Sequence, residues 1–178
     1  SALFLGCYDI SKKFGVQNNA VLPVLFLSTV FGFMIMIPLL IGTAVAPDFM
    51  NHYGVLVSEI SWGHHLKIAV KSLIIALAWS LNFFALKHLP ITIVTPIRAS
   101  GPLVTLLGAA IIFGEESSVQ QGIGLLFILG SFFAMSSLGK KEGINFWNNI
   151  WIAAVIVGTF LGACSGLYDK YLIQLTGI

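Results

Sequence analysis

Long apolar segments separated by short polar stretches make up most of this chain. Several segments reach the roughly 20 residues that a membrane-spanning helix needs, and they lack the alternation that is typical of β-barrel strands. Pro90 stands where one segment starts and Gly114 where it ends, as expected for helix boundaries. The pattern predicts six helical segments, the first of them partial: about 1–14, 21–46, 66–86, 91–113, 119–138 and 149–168.

The composition fits membrane insertion. Hydrophobic residues make up 57% of the chain and charged residues only 9%, against about 25% charged residues in a soluble domain. We therefore predict an all-α polytopic membrane protein with the lipid bilayer as its surroundings. The net charge of +2 is spread along the chain and gives no sign of a nucleic-acid partner. Walker, nucleophile-elbow and CxxC motifs are absent from the sequence, so we expect neither ATP-driven transport within this chain nor a cofactor.

One short motif, G-x-Y-D, occurs twice, at Gly6 and again 160 positions later at Gly166. Each copy comes near the end of its predicted segment. The first and sixth segments would be equivalent if the fold repeats after five helices. Because five is an odd number, the second repeat would start on the opposite side of the membrane, which is the inverted-repeat architecture of many transporters.

Small residues support this pairing of segments. The sixth segment carries Gly158, Gly162 and Gly166 at intervals of four, and Gly6 in the first segment aligns with Gly166. A stripe of small residues lets another helix backbone approach closely. We predict that these glycines pack helices together inside the bundle.

Arg98 is a charged residue deep in the fourth segment. A charge at such a depth costs roughly 3 kcal/mol on insertion scales, so its side chain should face the bundle or a water-filled cavity. One interpretation is an anchor for an anionic or carboxylate-bearing solute. The alternatives are an ion pair to Asp9 or Asp169 and extension of the side chain to a lipid headgroup.

Other polar residues are further candidates. The motif carboxylates Asp9 and Asp169 are possible proton-coupling groups, although their positions near segment ends also fit interfacial aspartates. Trp79 and Asn82 lie three residues apart and therefore on one helix face, where the amide could meet a solute or a neighbouring helix. The candidate solute-binding set is completed by the two motif tyrosines, Tyr8 and Tyr168.

The polar connection 47–65 allows an enzyme as an alternative. His52, Glu59, His64 and His65 are possible metal ligands, but they lack the spacing of a helical metal-binding pair. We expect an interfacial loop without a metal. A third alternative is a membrane scaffold that does not transport.

The stretch "FFALKHLPITIVTPIRASGPLVTLLGAAIIFGEE", with "QQGIGLLFILGSFF" after it, resembles the EamA-like branch of the drug/metabolite transporter superfamily. The shared elements, in order, are Ala85-Leu86, Pro96, Pro102, Gly114-Glu115, Gly122 and Gly124. The resemblance implies ten helices in two inverted five-helix halves around a central cavity. It also implies a secondary transporter that moves small organic solutes by alternating access, in a bacterial inner membrane.

By this resemblance the chain divides into three parts. Residues 1–138 would form the first repeat, 139–148 a loop, and 149–178 the start of the second repeat. The remaining helices of a full-length transporter would then be the partners of these six segments.

Overall fold

The computed structural model describes residues 2–57, 61–115, 118–141 and 148–176. These residues form eight α-helices and contain no strand. The helices are α1 Ala2–Gln17, α2 Val21–Val45, α3 Pro47–His52, α4 Trp62–His88, α5 Ile91–Ala99, α6 Gly101–Phe113, α7 Val119–Lys141 and α8 Ile150–Thr176.

Four stretches are long and apolar enough to cross a membrane: Val21–Val45, Trp62–His88, the α5–α6 pair Ile91–Phe113, and Ile150–Leu175. Val119–Ser131 in α7 is a shorter apolar helix. Large apolar side chains such as those of Phe31 and Ile111 are exposed on these helices, as lipid-facing residues are. The prediction of a polytopic all-α membrane protein is confirmed.

Several helices extend beyond their predicted bounds. The third segment, predicted as 66–86, is helical over Trp62–His88, and the sixth, predicted as 149–168, continues to Thr176. No glycine or proline lies between Asp169 and Thr176, so nothing stops α8 at the motif. Both G-x-Y-D copies therefore lie within helices, and the prediction that they mark helix ends was wrong.

The fourth predicted segment consists of two helices that meet at Ser100. Pro102 has no backbone N–H and cannot donate to the carbonyl of Arg98 one turn earlier. Hydrogen bonds between residues three apart replace the lost one. Ser100 N donates to Ile97 O (3.1 Å), and Leu103 N donates to Ser100 O (3.0 Å). This break places Arg98 in the last turn of α5.

The core lies where α4 and α5 meet the start of α8. Its buried side chains come from the C-terminal part of α4, from α5 and from the first turns of α8: Ala85, Leu86, Leu89, Ile93, Val94, Ile97, Ile152 and Val155. α8 packs most extensively against α4 and next against α6. A second cluster of Val16, Val21 and Phe83 joins α1 and α2 to α4.

Lys13 links α1 to the C-terminal end of α4 through hydrogen bonds. Its Nζ donates to the carbonyl oxygens of Leu86 (2.6 Å) and Leu89 (2.9 Å). These carbonyls are among those that a helix C-terminus leaves without an intrahelical partner, and the negative end of the helix dipole favours a cation there. Lys13 is thus a structural residue.

Candidate functional site

A cavity of about 620 Å³ lies between α4, α6 and α8, with Lys12 of α1 and Arg98 of α5 at its wall. This volume falls in the range of small-molecule binding sites. Most of the wall is apolar or small, and a few polar groups project from it. Trp79 and Asn82 come from α4, Thr105 from α6 and Thr159 from α8.

Arg98 is paired across the wall of this cavity. Its Nη1 donates to Asp9 Oδ1 at 2.6 Å, and the two side chains are 31% and 16% exposed. The ion pair to Asp9, one of the alternatives that the sequence left open, is therefore present. It offsets the cost of a guanidinium inside an apolar bundle. The role of Arg98 as a solute anchor stays a prediction.

Lys12 is the cavity residue that sequence reasoning missed. Its Nζ lies 3.8 Å from the ring centroid of Tyr8, 4.8 Å from that of Phe83 and 5.6 Å from that of Trp79. Three aromatic rings thus surround one ammonium group, an arrangement that favours a cation. The feature that could have revealed it is its spacing, because Lys12 follows Tyr8 by one helical turn and shares its face.

Asn82 and Gly158 form the close contact between α4 and α8. Asn82 Nδ2 donates to Ala78 O at 2.8 Å. A Cβ added to Gly158 would lie 2.7 Å from Asn82 Nδ2 and 3.0 Å from Ala78 O, so only glycine fits without a shift. Asn82 Oδ1 is buried and has no hydrogen-bond partner within the described parts of the chain. An acceptor thus stays free on a residue that lines the cavity.

The other candidate glycines have open surroundings. Gly162 and Gly166 line the cavity, and Gly6 is exposed on α1. Within the parts that the structure describes, a Cβ on any of these three would meet no atom within 4 Å. Gly158 therefore packs helices together, whereas a packing role for Gly6, Gly162 and Gly166 stays a prediction.

The second motif copy has different partners. Asp169 Oδ1 lies 2.6 Å from Lys71 Nζ, and these side chains are 42% and 30% exposed. Tyr168 stacks on Tyr171 with ring centroids 6.0 Å apart and is not among the lining residues of the cavity. Its role in solute binding, like that of Tyr8, stays a prediction.

A third ion pair lies in the wall of the cavity. Lys170 of α8 pairs with Glu115, just beyond the end of α6, and its ammonium lies 5.0 Å from the ring centroid of Phe113. Both members of this pair line the cavity.

The histidine-containing connection gives no metal centre among residues 2–57 and 61–115. α3 occupies its start, and α4 begins at Trp62, so His64 and His65 belong to the first turn of α4. His64 Nδ1 shares a hydrogen bond with Ser61 Oγ (2.8 Å), and Glu59 lies outside the described residues.

The chain matches the model of a known protein family. The model of the EamA-like transporter family matches residues 1–137, from α1 to near the end of α7. Searches of curated proteins and of solved structures gave no significant match.

Proposed function

We propose that this chain, which belongs to the EamA-like transporter family, carries small organic solutes through the cavity between α4, α6 and α8 by alternating access. As a member of this family, the chain is a multi-pass membrane protein that lies in lipid. The family consists of transporters, which implies small-molecule solutes. The solute, the mechanism and the bacterial inner membrane as location are parts of the proposal.

The observation that carries the proposal is a cavity lined by charged groups inside an apolar bundle. Lys12, Arg98 and Lys170 line it, and charges among membrane helices are costly unless they serve a pathway or are paired. The break at Ser100 lies beside the same cavity, where Gly101 and Pro102 form part of the wall. Interrupted helices at the binding site are a recurrent feature of secondary transporters.

The proposed architecture assigns residues 1–138 to the first repeat and 149–178 to the start of an inverted second repeat. The remaining helices of the second repeat would complete the wall around the cavity. The absence of a Walker motif from the sequence supports transport driven by a gradient rather than by ATP within this chain. Proton coupling through Asp9 or Asp169 stays part of the hypothesis.

The test is solute counterflow by the intact transporter in liposomes without nucleotide. We expect saturable exchange of at least one class of small organic solute. Gly162→Trp should block exchange, because its side chain would project into the cavity, where a Cβ meets no described atom within 4 Å. The matched control is Ile111→Trp on the exposed face of α6, which should exchange normally.

Two outcomes would contradict the transport proposal. If Gly162→Trp exchanges solute as fast as Ile111→Trp while both variants accumulate in the membrane, the cavity is not the pathway. If the protein exchanges no solute of any charge class, the transport proposal fails.

A further inference from the structure

We infer that the cavity takes organic carboxylates with an apolar body, and that Lys12 is the residue that binds the carboxylate. This inference rests on the proposed transport function and names the substrate class of the same cavity. The charges that line the cavity and the aromatic rings around Lys12 support it.

The cations of the cavity wall differ in their partners. Three cations line it, and two of them have anionic partners: Arg98 is bound to Asp9 at 2.6 Å, and Lys170 is bound to Glu115. No carboxylate of residues 2–57, 61–115, 118–141 or 148–176 lies within 4.0 Å of Lys12 Nζ. Lys12 is therefore the one cation of the described wall without an ion-pair partner.

The aromatic rings only partly stabilise the Lys12 ammonium. A cation–π contact contributes about 0.5–2 kcal/mol, whereas withdrawing an ion from water costs several kcal/mol. Rings also leave the three N–H donors of a lysine without oxygen acceptors. A carboxylate from a solute supplies both the countercharge and the acceptors, and charge-assisted hydrogen bonds are the strong ones.

The cavity wall beside Lys12 can hold the apolar body of the solute. Trp79 lines the cavity, and its ring centroid is 5.6 Å from Lys12 Nζ. A solute whose carboxylate binds Lys12 can therefore lay an aryl or alkyl group against the indole.

The same geometry ranks Lys12 above Arg98 as the anchor. A solute that binds the Arg98 guanidinium must compete with Asp9, which is already 2.6 Å away. A solute that binds Lys12 displaces only ring contacts. The anchor for an anion therefore shifts from Arg98, which the sequence suggested, to Lys12.

The experiment measures binding of three probes that share a phenyl group: phenylacetate, 2-phenylethanol and phenethylamine. The purified full-length protein is titrated with each in detergent by calorimetry. We expect phenylacetate to bind about tenfold more tightly than the alcohol, the ratio that one charge-assisted hydrogen bond supplies. Lys12→Gln should remove this preference, and Lys12→Arg should keep most of it.

The control is Lys87→Gln, which removes one positive charge from a residue that is not among the lining residues and whose Nζ donates to Asn19 O at 3.0 Å. Its affinity for phenylacetate should match that of the unmodified protein. Equal binding of all three probes, tighter binding of the amine, or an unchanged preference in Lys12→Gln would overturn the inference.

A second measurement uses the unmodified protein, so that it stands even if Lys12→Gln does not fold. Phenylacetate should protect Lys12 from reductive methylation, as read by peptide mass spectrometry, and 2-phenylethanol should not. Lack of protection by phenylacetate would also overturn the inference.

These measurements separate the two proposals. Carboxylate binding at Lys12 without counterflow of any solute would support the site and contradict transport. Counterflow restricted to amines or neutral solutes would support transport and contradict the carboxylate site.

Discussion

The two copies of G-x-Y-D have the same letters and different surroundings. In the first copy Asp9 is 16% exposed and binds Arg98 of α5, beside the cavity. In the second copy Asp169 is 42% exposed and binds Lys71 of α4. The same motif therefore holds a charge inside the bundle in one place and forms a more solvated pair in the other.

The remaining motif positions differ in the same way. Tyr8 covers the ammonium of Lys12, whereas Tyr168 stacks on Tyr171. Gly6 is exposed, whereas Gly166 lines the cavity. The first copy contacts the charged residues Arg98 and Lys12 of the cavity wall, and the second supplies open backbone wall at Gly166. The contribution of each copy therefore depends on the helices that pack beside it.

The largest effect should come from breaking the first ion pair. Asp9→Asn leaves the guanidinium of Arg98 without its countercharge inside the bundle, which should lower the free energy of unfolding by about 3 kcal/mol. Unfolding in detergent, followed by circular dichroism, measures this loss.

The double variant Asp9→Asn with Arg98→Gln removes both charges and should recover part of the loss. No loss in Asp9→Asn, or a loss no larger than in Asp169→Asn, would remove the difference between the two copies.

The next effect concerns the glycines of α8. Gly158→Ala should lower the free energy of unfolding by about 1–2 kcal/mol, because the new Cβ would press on Asn82 Nδ2 and on the Ala78 carbonyl. Gly162→Ala is the matched control and should change it by less than about 0.5 kcal/mol. Equal losses at the two positions would contradict the distinction between a packing glycine and a cavity glycine.

Two adjacent lysines of α1 should behave in opposite ways. Lys13→Met removes the donor that satisfies Leu86 O and Leu89 O, which should cost about 1 kcal/mol of stability. Lys12→Met removes a charge without a carboxylate partner in the described residues and should leave the thermal midpoint unchanged or raise it. Thermal unfolding of the two variants side by side measures the contrast, and a larger loss in Lys12→Met would refute it.

The smallest effect should come from the second ion pair. Asp169→Asn should lower the free energy of unfolding by about 0.5 kcal/mol or less, because a pair this exposed gains little from its attraction. The same unfolding measurement at low and high salt checks the origin of the change. A loss above about 2 kcal/mol would show that Asp169 is as important to the bundle as Asp9.

Much of the architecture could be predicted from the sequence. Runs of apolar residues long enough to cross a bilayer gave the all-α membrane class and the approximate spans, because hydropathy is a property of consecutive residues. The prolines on either side of Arg98 lie in the fourth segment, where the helix is broken. The ordered motifs from Ala85 to Gly124 indicated the family that the comparison then matched. The helix ends were less accurate, since α8 continues past its motif to Thr176.

Only the tertiary structure decided how the charges are shared. The sequence offered Asp9 and Asp169 equally as partners of Arg98, and packing of α5 near α1 selected Asp9, 89 positions away. Helix packing likewise left Lys12 without a carboxylate partner in the described structure. It also placed Gly158, but not Gly162, in close contact with another helix. These outcomes depend on distances between helices, because an ion pair or a steric contact changes within an ångström or two, and no local pattern encodes distances that small.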